Sequence, residues 1–158
     1  MSVVALDRLK AALQPGQRLL GLDLGEKTIG LALSDTMLTV ATPLSTLKRG
    51  KFTSDALTLR ALIAEHGVGA LVVGLPLNMD GSEGPSAQSA RAFARNFASA
   101  SDCPLAFMDE RLSTAAVTRT LIEADASRAR RKALVDKMAA AYILQNALDR
   151  MRHLPPPP

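Results

Sequence analysis

The stretch Leu19-Leu20-Gly21-Leu22-Asp23-Leu24-Gly25 places one carboxylate inside an otherwise apolar strand. Removing an ionised carboxylate from water costs several kcal/mol unless a cation or hydrogen-bond donors compensate. Gly25 has no side chain, so a ligand or another backbone can approach the strand end closely. We therefore expect Asp23 to face a metal ion or a substrate phosphate.

The composition predicts a single globular domain. The chain has 158 residues, of which 47% are hydrophobic, enough to build a hydrophobic core. Its longest near-apolar run, Val68 to Leu77, is too short to cross a bilayer. The first eight residues carry charge where a signal peptide would be apolar. These features predict a cytoplasmic protein that does not associate with membranes.

Carboxylates are the only plentiful catalytic groups in the chain. Cys103 is the single cysteine, so it cannot form an internal disulfide. The only histidines are His66 and His153, which argues against a zinc site of histidines and cysteines. A triad of serine, histidine and acid has no supporting motif. The sequence thus favours chemistry carried by aspartate and glutamate.

The net charge of +4 and the sequence pI of about 9.6 are compatible with a polyanionic partner. The basic residues form two clusters, and from charge alone both are best interpreted as solvated loops. Aromatic residues are scarce, at 3%, so any nucleic acid should be bound through phosphates and shape rather than by stacking of many bases. The first cluster is Lys48, Arg49 and Lys51, and the second is Arg128, Arg130, Arg131 and Lys132.

Periodicity and turn signals predict five strands and five helices. The helices are expected at 1–14, 54–66, 85–100, 113–124 and 133–152, and the strands at 19–25, 28–35, 39–47, 68–75 and 104–109. Pro43 predicts an edge position for the third strand, because proline cannot donate to a ladder. We divide the chain into a helical extension (1–16), one domain (17–152) and a disordered proline-rich tail (153–158).

The order of these elements predicts an α/β fold with a mixed five-stranded sheet flanked by helices. The first, fourth and fifth strands are expected to be parallel neighbours, because right-handed helical crossovers link such strands. Their carboxyl ends would then share one edge of the sheet, where open α/β sheets bind ligands.

Three acids converge on this edge. Asp23 ends the first strand, and Asp109-Glu110 ends the fifth. Neighbouring residues of a strand point to opposite faces, so only one of this pair should reach the site. We choose Glu110 for its longer side chain and leave Asp109 as the alternative. Asp136 heads the apolar stripe of the last helix, which favours a position facing the core over one in solvent or at a helix cap. The stripe consists of Ala139, Ala140, Ile143, Leu144 and Ala147.

A carboxylate cluster of this kind suits hard divalent cations. Mg²⁺ takes oxygen ligands and keeps several waters, and two ions about 3.5–4 Å apart can stabilise the attacking and leaving oxygens of phosphodiester cleavage. Asp23 as the central ligand, flanked by Glu110 and Asp136, would hold Mg²⁺ or Mn²⁺. The sequence therefore predicts a metal-dependent nuclease.

The loop from Pro76 to Pro85 gives a weaker signal. Asn78 and Ser82 could contact a nucleic-acid backbone, although an ordinary strand-to-helix turn explains the same residues. Gly25 and Lys27 could help to hold a phosphate beside Asp23, or could simply form the hairpin. Arg111 and the second basic cluster are further candidates for substrate phosphates.

Taken together, four blocks resemble the YqgF family of RuvC-like Holliday junction resolvases, whose members are also described as pre-16S rRNA nucleases. The blocks are GLDLGEKTIGLALSD, VVGLPLNMDGSEG, DERLST and VDKMAAAYILQNALD, in that order from about residue 20 to residue 149. The resemblance implies an RNase H-like fold and metal-dependent cleavage of structured nucleic acid, with the acids at Asp23, Glu110 and Asp136. It implies 5′-end processing of pre-16S rRNA, with junction resolution as the alternative and a monomer or homodimer as the active form.

Two interpretations from other classes compete with this one. Actin-like ATPases also use an aspartate-glycine hairpin as a phosphate motif, but they need a second related lobe, which this chain lacks. A noncatalytic nucleic-acid-binding module of the same fold would be expected to lack the acids. Since all three acids are present, the nuclease interpretation is favoured.

Overall fold

The computed structural model describes residues 3–110 and 128–153, with side chains over 3–110 and 138–153. Its elements are a short helix α1 with a following 3₁₀ turn, five strands and three longer helices. They are α1 (Leu6–Leu9), the 3₁₀ turn (Lys10–Ala12), β1 (Arg18–Leu24), β2 (Thr28–Ser34), β3 (Ala41–Lys48), α2 (Phe52–His66), β4 (Val68–Leu75), α3 (Pro85–Ala100), β5 (Leu105–Asp109) and α4 (Arg128–Arg152). No helix within the described ranges is long and apolar enough to span a membrane.

The five strands form one mixed sheet in the order β3-β2-β1-β4-β5. β1 is antiparallel to β2 and parallel to β4, and β4 is parallel to β5. The predicted parallel neighbours and the edge position of β3 are therefore confirmed. The carboxyl ends of β1, β4 and β5 lie at the same end of the sheet, which we call the strand-end edge.

Helices cover both faces of the sheet. α2 and α3 pack on one face, where Leu20 and Leu22 of β1 join Phe93 and Phe97 in a fully or almost fully buried cluster. α1 and α4 pack on the other face around Leu19. Alternation along β1 therefore directs Asp23 to the α4 side.

Gly21 allows α4 to lie close against the sheet. A Cβ atom built at Gly21 would stand 2.8 Å from the Cβ of Leu144 and 3.1 Å from the carbonyl oxygen of Ala140. The apolar stripe predicted for this helix is buried at Ala140, Ile143, Leu144 and Ala147, each at most 2% exposed, whereas Ala139 is only partly buried. The close contact at Gly21 thus fixes the distance between α4 and β1.

The direction of α4 follows from its contacts at the other end of the sheet. The Gln145 side chain accepts a hydrogen bond from the Ala41 amide (2.9 Å) and donates one to the Thr39 carbonyl (3.0 Å). Thr39 lies in the connection from β2 to β3 and Ala41 begins β3, so both lie opposite the strand-end edge. α4 therefore runs antiparallel to β1, with its early residues towards the strand-end edge.

Two helix boundaries differ from the sequence prediction. α4 begins at Arg128 rather than near residue 133, so the second basic cluster forms the start of a helix and not a loop. Arginine, alanine and lysine favour helix, but cations are disfavoured at a helix N-terminus. The sequence pattern therefore does not indicate where α4 begins. The N-terminal helix is only Leu6–Leu9 followed by its 3₁₀ turn, and Val3 instead bridges to Leu105 beside β5. The expected helix at 113–124 and the tail from 154 lie outside the described residues.

The connection from β2 to β3 is organised by Asp35. Its carboxylate accepts hydrogen bonds from the Thr39 amide (2.7 Å), the Thr39 hydroxyl and the Val40 amide (3.1 Å). These bonds, led by the Thr39 hydroxyl, lower the pKa of Asp35 to about 2. Leu38 within the turn has a positive φ of 58°, a conformation that the surrounding bonds hold in place.

We expect Gly21→Ala to destabilise the protein by about 1–3 kcal/mol, because the added methyl group meets backbone and Cβ atoms that cannot move aside. Urea unfolding monitored by circular dichroism measures this loss. Gly50→Ala is the matched control, since the nearest atom to a Cβ there is the Asp55 carboxylate at 3.9 Å. Equal stability losses in the two variants would contradict the close approach of α4.

We expect Asp35→Ala to lower the free energy of unfolding by about 1–2 kcal/mol at pH 7. The native pKa lies below the ordinary value of 3.8, so the stabilisation is complete above that value and is lost as the pH falls through about 2. The difference in the free energy of unfolding between wild type and variant should therefore become smaller as the pH falls below 4. Asp102→Ala, at an exposed position, serves as control. A gap that is constant from pH 7 to pH 2 would disprove the role of the charge.

Candidate active site

Two acids meet at the strand-end edge. Asp23 is the penultimate residue of β1, and Glu110 directly follows β5. β4 lies between these strands, and yet the two carboxyl groups are hydrogen bonded to each other. The contact brings together Asp23 and the acid chosen from the Asp109-Glu110 pair.

Gly74 of β4 makes room for this contact. A Cβ atom built there would collide with Oε1 and Cδ of Glu110 and would stand 2.7 Å from Cδ1 of Ile143. The Glu110 carboxyl therefore lies across the backbone of β4, in the space that a side chain would fill. A glycine inside a buried strand is the sequence signal for such a close approach.

Burial raises the pKa of Glu110 from 4.5 to about 8, and the neighbouring charge of Asp23 adds to the shift. The hydrogen bond to Asp23 and the charge of Asp109 act in the same direction. The two neighbouring negative charges repel each other, and this repulsion disfavours the state in which both carboxyl groups are ionised. A bound divalent cation would neutralise the same repulsion, and the oxygens present are the ligands that Mg²⁺ prefers. The pair therefore fits a metal ion.

Asp136 lies in α4, one helical turn before Ala140. Because Ala140 lies over Gly21 and α4 runs antiparallel to β1, the backbone of Asp136 is displaced towards the strand-end edge. Its side chain lies outside the described residues, as do Arg111 and the side chains of the second basic cluster. Within the described residues, no group of three His, Cys, Asp or Glu side chains forms a metal-binding cluster.

Arg49 ties the hairpin next to Asp23 to helix α3. Its guanidinium donates a hydrogen bond to the Gly25 carbonyl (2.7 Å) and a longer one to the Ser89 hydroxyl (3.4 Å), and it lies 5.8 Å from the centre of the Phe93 ring. The interpretation of the first basic cluster as a solvated loop is thus wrong for Arg49, which is partly buried. No local sequence signal distinguishes it from Lys48 and Lys51, which are exposed.

The loop after β4 is held together by its own polar side chains. Asn78 donates to the Ser82 hydroxyl (2.9 Å), and the Asp80 carboxylate accepts from both the hydroxyl (2.6 Å) and the amide (2.9 Å) of Ser82. Asn78 and Ser82, predicted as substrate contacts, therefore shape the loop. Leu77 and Glu83 pair across its base, and Gly81 supplies a turn with φ of 88°. Lys27 is exposed on the neighbouring hairpin.

The sheet order, the acid pair and α4 across one face define the RNase H-like fold of the RuvC resolvases. RuvC of T. thermophilus in complex with a Holliday junction aligns with a TM-score of 0.55 at 15% identity, covering 89% of this chain and 99% of that one. A second T. thermophilus RuvC structure gives a TM-score of 0.51 at 15% identity, covering 86% and 97%. At this identity the likeness concerns the fold.

Sequence comparison gives the family. A family model described as "RuvX: Holliday junction resolvase" matches residues 17–150, and the chain belongs to this family. A protein of Paramagnetospirillum magneticum named "Putative pre-16S rRNA nuclease" is 62% identical over 149 residues, 94% of this chain and 96% of that protein. A relative in Roseobacter denitrificans with the same name is 60% identical over 144 residues, 90% and 88% of the two chains. The resemblance noted in the sequence is thereby confirmed.

We expect Glu110→Gln to be more stable than the wild type in metal-free buffer, by about 2 kcal/mol at pH 8. The native pKa lies above the unfolded value of 4.5, so folded Glu110 retains a proton that the unfolded chain has lost. The wild type should therefore lose stability relative to the variant as the pH rises from 4.5 to about 8. Unfolding in EDTA across this range measures the difference. Parallel pH curves for the two proteins would exclude the proposed burial of the charge.

Proposed function

We propose that this protein hydrolyses phosphodiester bonds of structured nucleic acid with the help of Mg²⁺ or Mn²⁺, and that its task is 5′-end processing of pre-16S rRNA. The observation that carries the proposal is the Asp23–Glu110 pair. Two acids that compete for one proton at the open end of a parallel sheet are costly for stability alone, and a cation offsets that cost.

Asp23 and Glu110 would hold the ion from opposite sides of β4, and Asp136 would complete the ligand set from α4. When bound, the ion supplies a Lewis acid and an activated water for attack on phosphorus. The chain contributes the position of the ligands. Gly74 admits the Glu110 carboxyl, and the bond from Arg49 to the Gly25 carbonyl fixes the turn that follows Asp23. Rigid placement of this kind is what metal-assisted cleavage requires from a protein.

Basic side chains would bind the substrate phosphates. We assign this role to Arg111 and to Arg128, Arg130, Arg131 and Lys132 at the start of α4, with Gly25 and Lys27 contributing from the hairpin. The net charge of +4 supports binding through phosphates. Such contacts position a nucleic acid without reading its sequence, so structure in the substrate would direct cleavage.

The choice of precursor rRNA is supported by the names of the two relatives, each at least 60% identical. Work on precursor rRNA would take place in the cytoplasm. Resolution of four-way DNA junctions is the second candidate, favoured by the description of the family model and by the RuvC fold. A protein that cuts junctions in pairs of strands would act as a homodimer, whereas rRNA processing is compatible with a monomer.

We expect Asp23→Asn to reduce cleavage by about a thousandfold or more while binding and folding persist, because the substitution removes a central metal ligand but keeps the shape. The assay compares precursor 16S rRNA and a four-way DNA junction side by side in Mg²⁺. Asp102→Asn is the matched control at an exposed position. Full activity of Asp23→Asn, or unchanged wild-type activity in excess EDTA, would refute the proposal, and the substrate that is cut selects between the two candidates.

A further inference from the structure

Lys48 is the last residue of β3, the strand at one side of the sheet. β3 is antiparallel to β2, and β2 is antiparallel to β1, so β3 ends at the same end of the sheet as β1. This is the strand-end edge, which carries Asp23 and Glu110. The first basic cluster, of which Lys48 is a member, therefore lies at the same edge of the sheet as the acid pair.

The register of the strands decides from which face of the sheet Lys48 projects. Leu24 pairs with Ile29, and Ile29 pairs with Leu47. All three side chains join the apolar cluster on the face that α2 and α3 cover. Their neighbours along each strand point to the opposite face. Asp23 and Lys48 therefore project from the same face, the one on which α4 packs.

Lys48 is close enough to Asp23 for one nucleic-acid strand to contact both. Thr28 pairs with Lys48, and its carbonyl accepts a hydrogen bond from the Gly25 amide (2.8 Å), so Lys48 lies level with Gly25. With β2 between β1 and β3, the Cα atoms of Asp23 and Lys48 are about 12 Å apart. A nucleic-acid strand covers that distance in a few nucleotides. Thr46 projects from the same face as Thr28 and Lys48, and all three are exposed.

Lys48 supplies the positive charge of this surface. Among the residues that the structure describes, its ammonium group has no carboxylate partner. The guanidinium of Arg49, the next residue, is instead bound to the Gly25 carbonyl. Glu26 and Lys27 in the hairpin turn are both exposed and carry opposite charges, so together they add no net charge. An ammonium group beside threonine hydroxyls is a combination that proteins use to contact phosphates.

We propose that Lys48, together with Thr28 and Thr46, binds a phosphate of the nucleic acid a few nucleotides from the bond that is cleaved. This inference rests on the proposed function and adds the direction in which the substrate leaves the acids, across β2 towards β3. A lysine on an edge strand can also prevent pairing with another sheet. That role alone would leave nucleic-acid binding unchanged, so binding measurements separate the two roles.

The test measures binding at several salt concentrations in the Asp23→Asn parent protein, which leaves the probes uncut. The probes are a four-way DNA junction and an RNA hairpin that spans the 5′ end of 16S rRNA. Loss of one phosphate contact makes the slope of log K against log salt less steep by about 0.7–0.9. We therefore expect Lys48→Ala to bind more weakly than the parent, with a difference in affinity that shrinks about threefold between about 50 and 200 mM salt. Lys48→Arg, which keeps the charge, should retain the slope.

Lys51→Ala is the matched control. It removes another exposed lysine of the same cluster, but at the start of α2, which packs on the opposite face of the sheet. Its slope should equal that of the parent. Thr46→Val removes a neutral hydroxyl and should weaken binding without changing the slope. The Tm should hardly change in any of these variants, since the side chains are exposed.

A second measurement locates the contact on the nucleic acid. Single methylphosphonate linkages, each of which removes the charge of one phosphate, are placed at successive positions around the cleavage site mapped with the wild type. One position should weaken binding of the parent but not of Lys48→Ala, because the variant has already lost that contact. We expect this position a few nucleotides from the cleaved bond.

A less steep slope in Lys48→Ala but not in Lys51→Ala would support the phosphate contact. An unchanged slope in Lys48→Ala, an equal change in Lys51→Ala, or no binding to either probe would overturn it. Cleavage of the probes by the wild type is scored separately and decides the proposed function. A wild type that cleaves while Lys48→Ala keeps the slope of the parent would therefore reject the contact and retain the nuclease.

Discussion

The Asp23–Glu110 contact is unfavourable whenever both carboxyl groups are charged, and the sheet nevertheless imposes it. β4 pairs with the strands that carry both acids, and the missing side chain of Gly74 lets Glu110 lie against its backbone. Packing in the rest of the molecule opposes the repulsion between the two acids. α4 packs on Gly21 from one face, α2 and α3 pack from the other, and Arg49 secures the turn after Asp23. A bound cation would neutralise the repulsion between the two carboxyl groups.

The fold was largely predictable from pattern. The continuous apolar run Val68–Leu75 is the central strand β4, and Gly67 ends α2 in the left-handed conformation expected of a C-terminal glycine. The start of α4 was not predictable from pattern. A run of basic residues resembles a solvated loop, and cations are disfavoured at the positive end of a helix dipole. The N-terminal segment also differed, since its bridge to β5 depends on a distant strand that local pattern does not reveal.

The candidate site was predictable in part. Asp23 stood out because charge interrupts an apolar strand, and the choice of Glu110 over Asp109 followed from side-chain length at a strand end. The role of Arg49 depends on its hydrogen bonds to Gly25 and Ser89, which are remote in sequence. The sequence alone therefore does not distinguish Arg49 from its neighbours Lys48 and Lys51. Asn78 and Ser82 were assigned to substrate because their type suits phosphate. In the structure their side chains are hydrogen bonded to each other, and their contact with substrate stays a prediction.

The order of the strands along the chain has a consequence for synthesis. Among the strands that the structure describes, β5 is the last to be made, and Glu110 follows it, whereas Asp23 lies near the beginning of the chain. A nascent chain that has completed β1 to β4 already holds Asp23 at a strand end but has no second acid beside it. The pair forms only when β5 adds to the edge of β4 and α4 closes over the sheet. The acid pair of the proposed active site is therefore completed only late in translation.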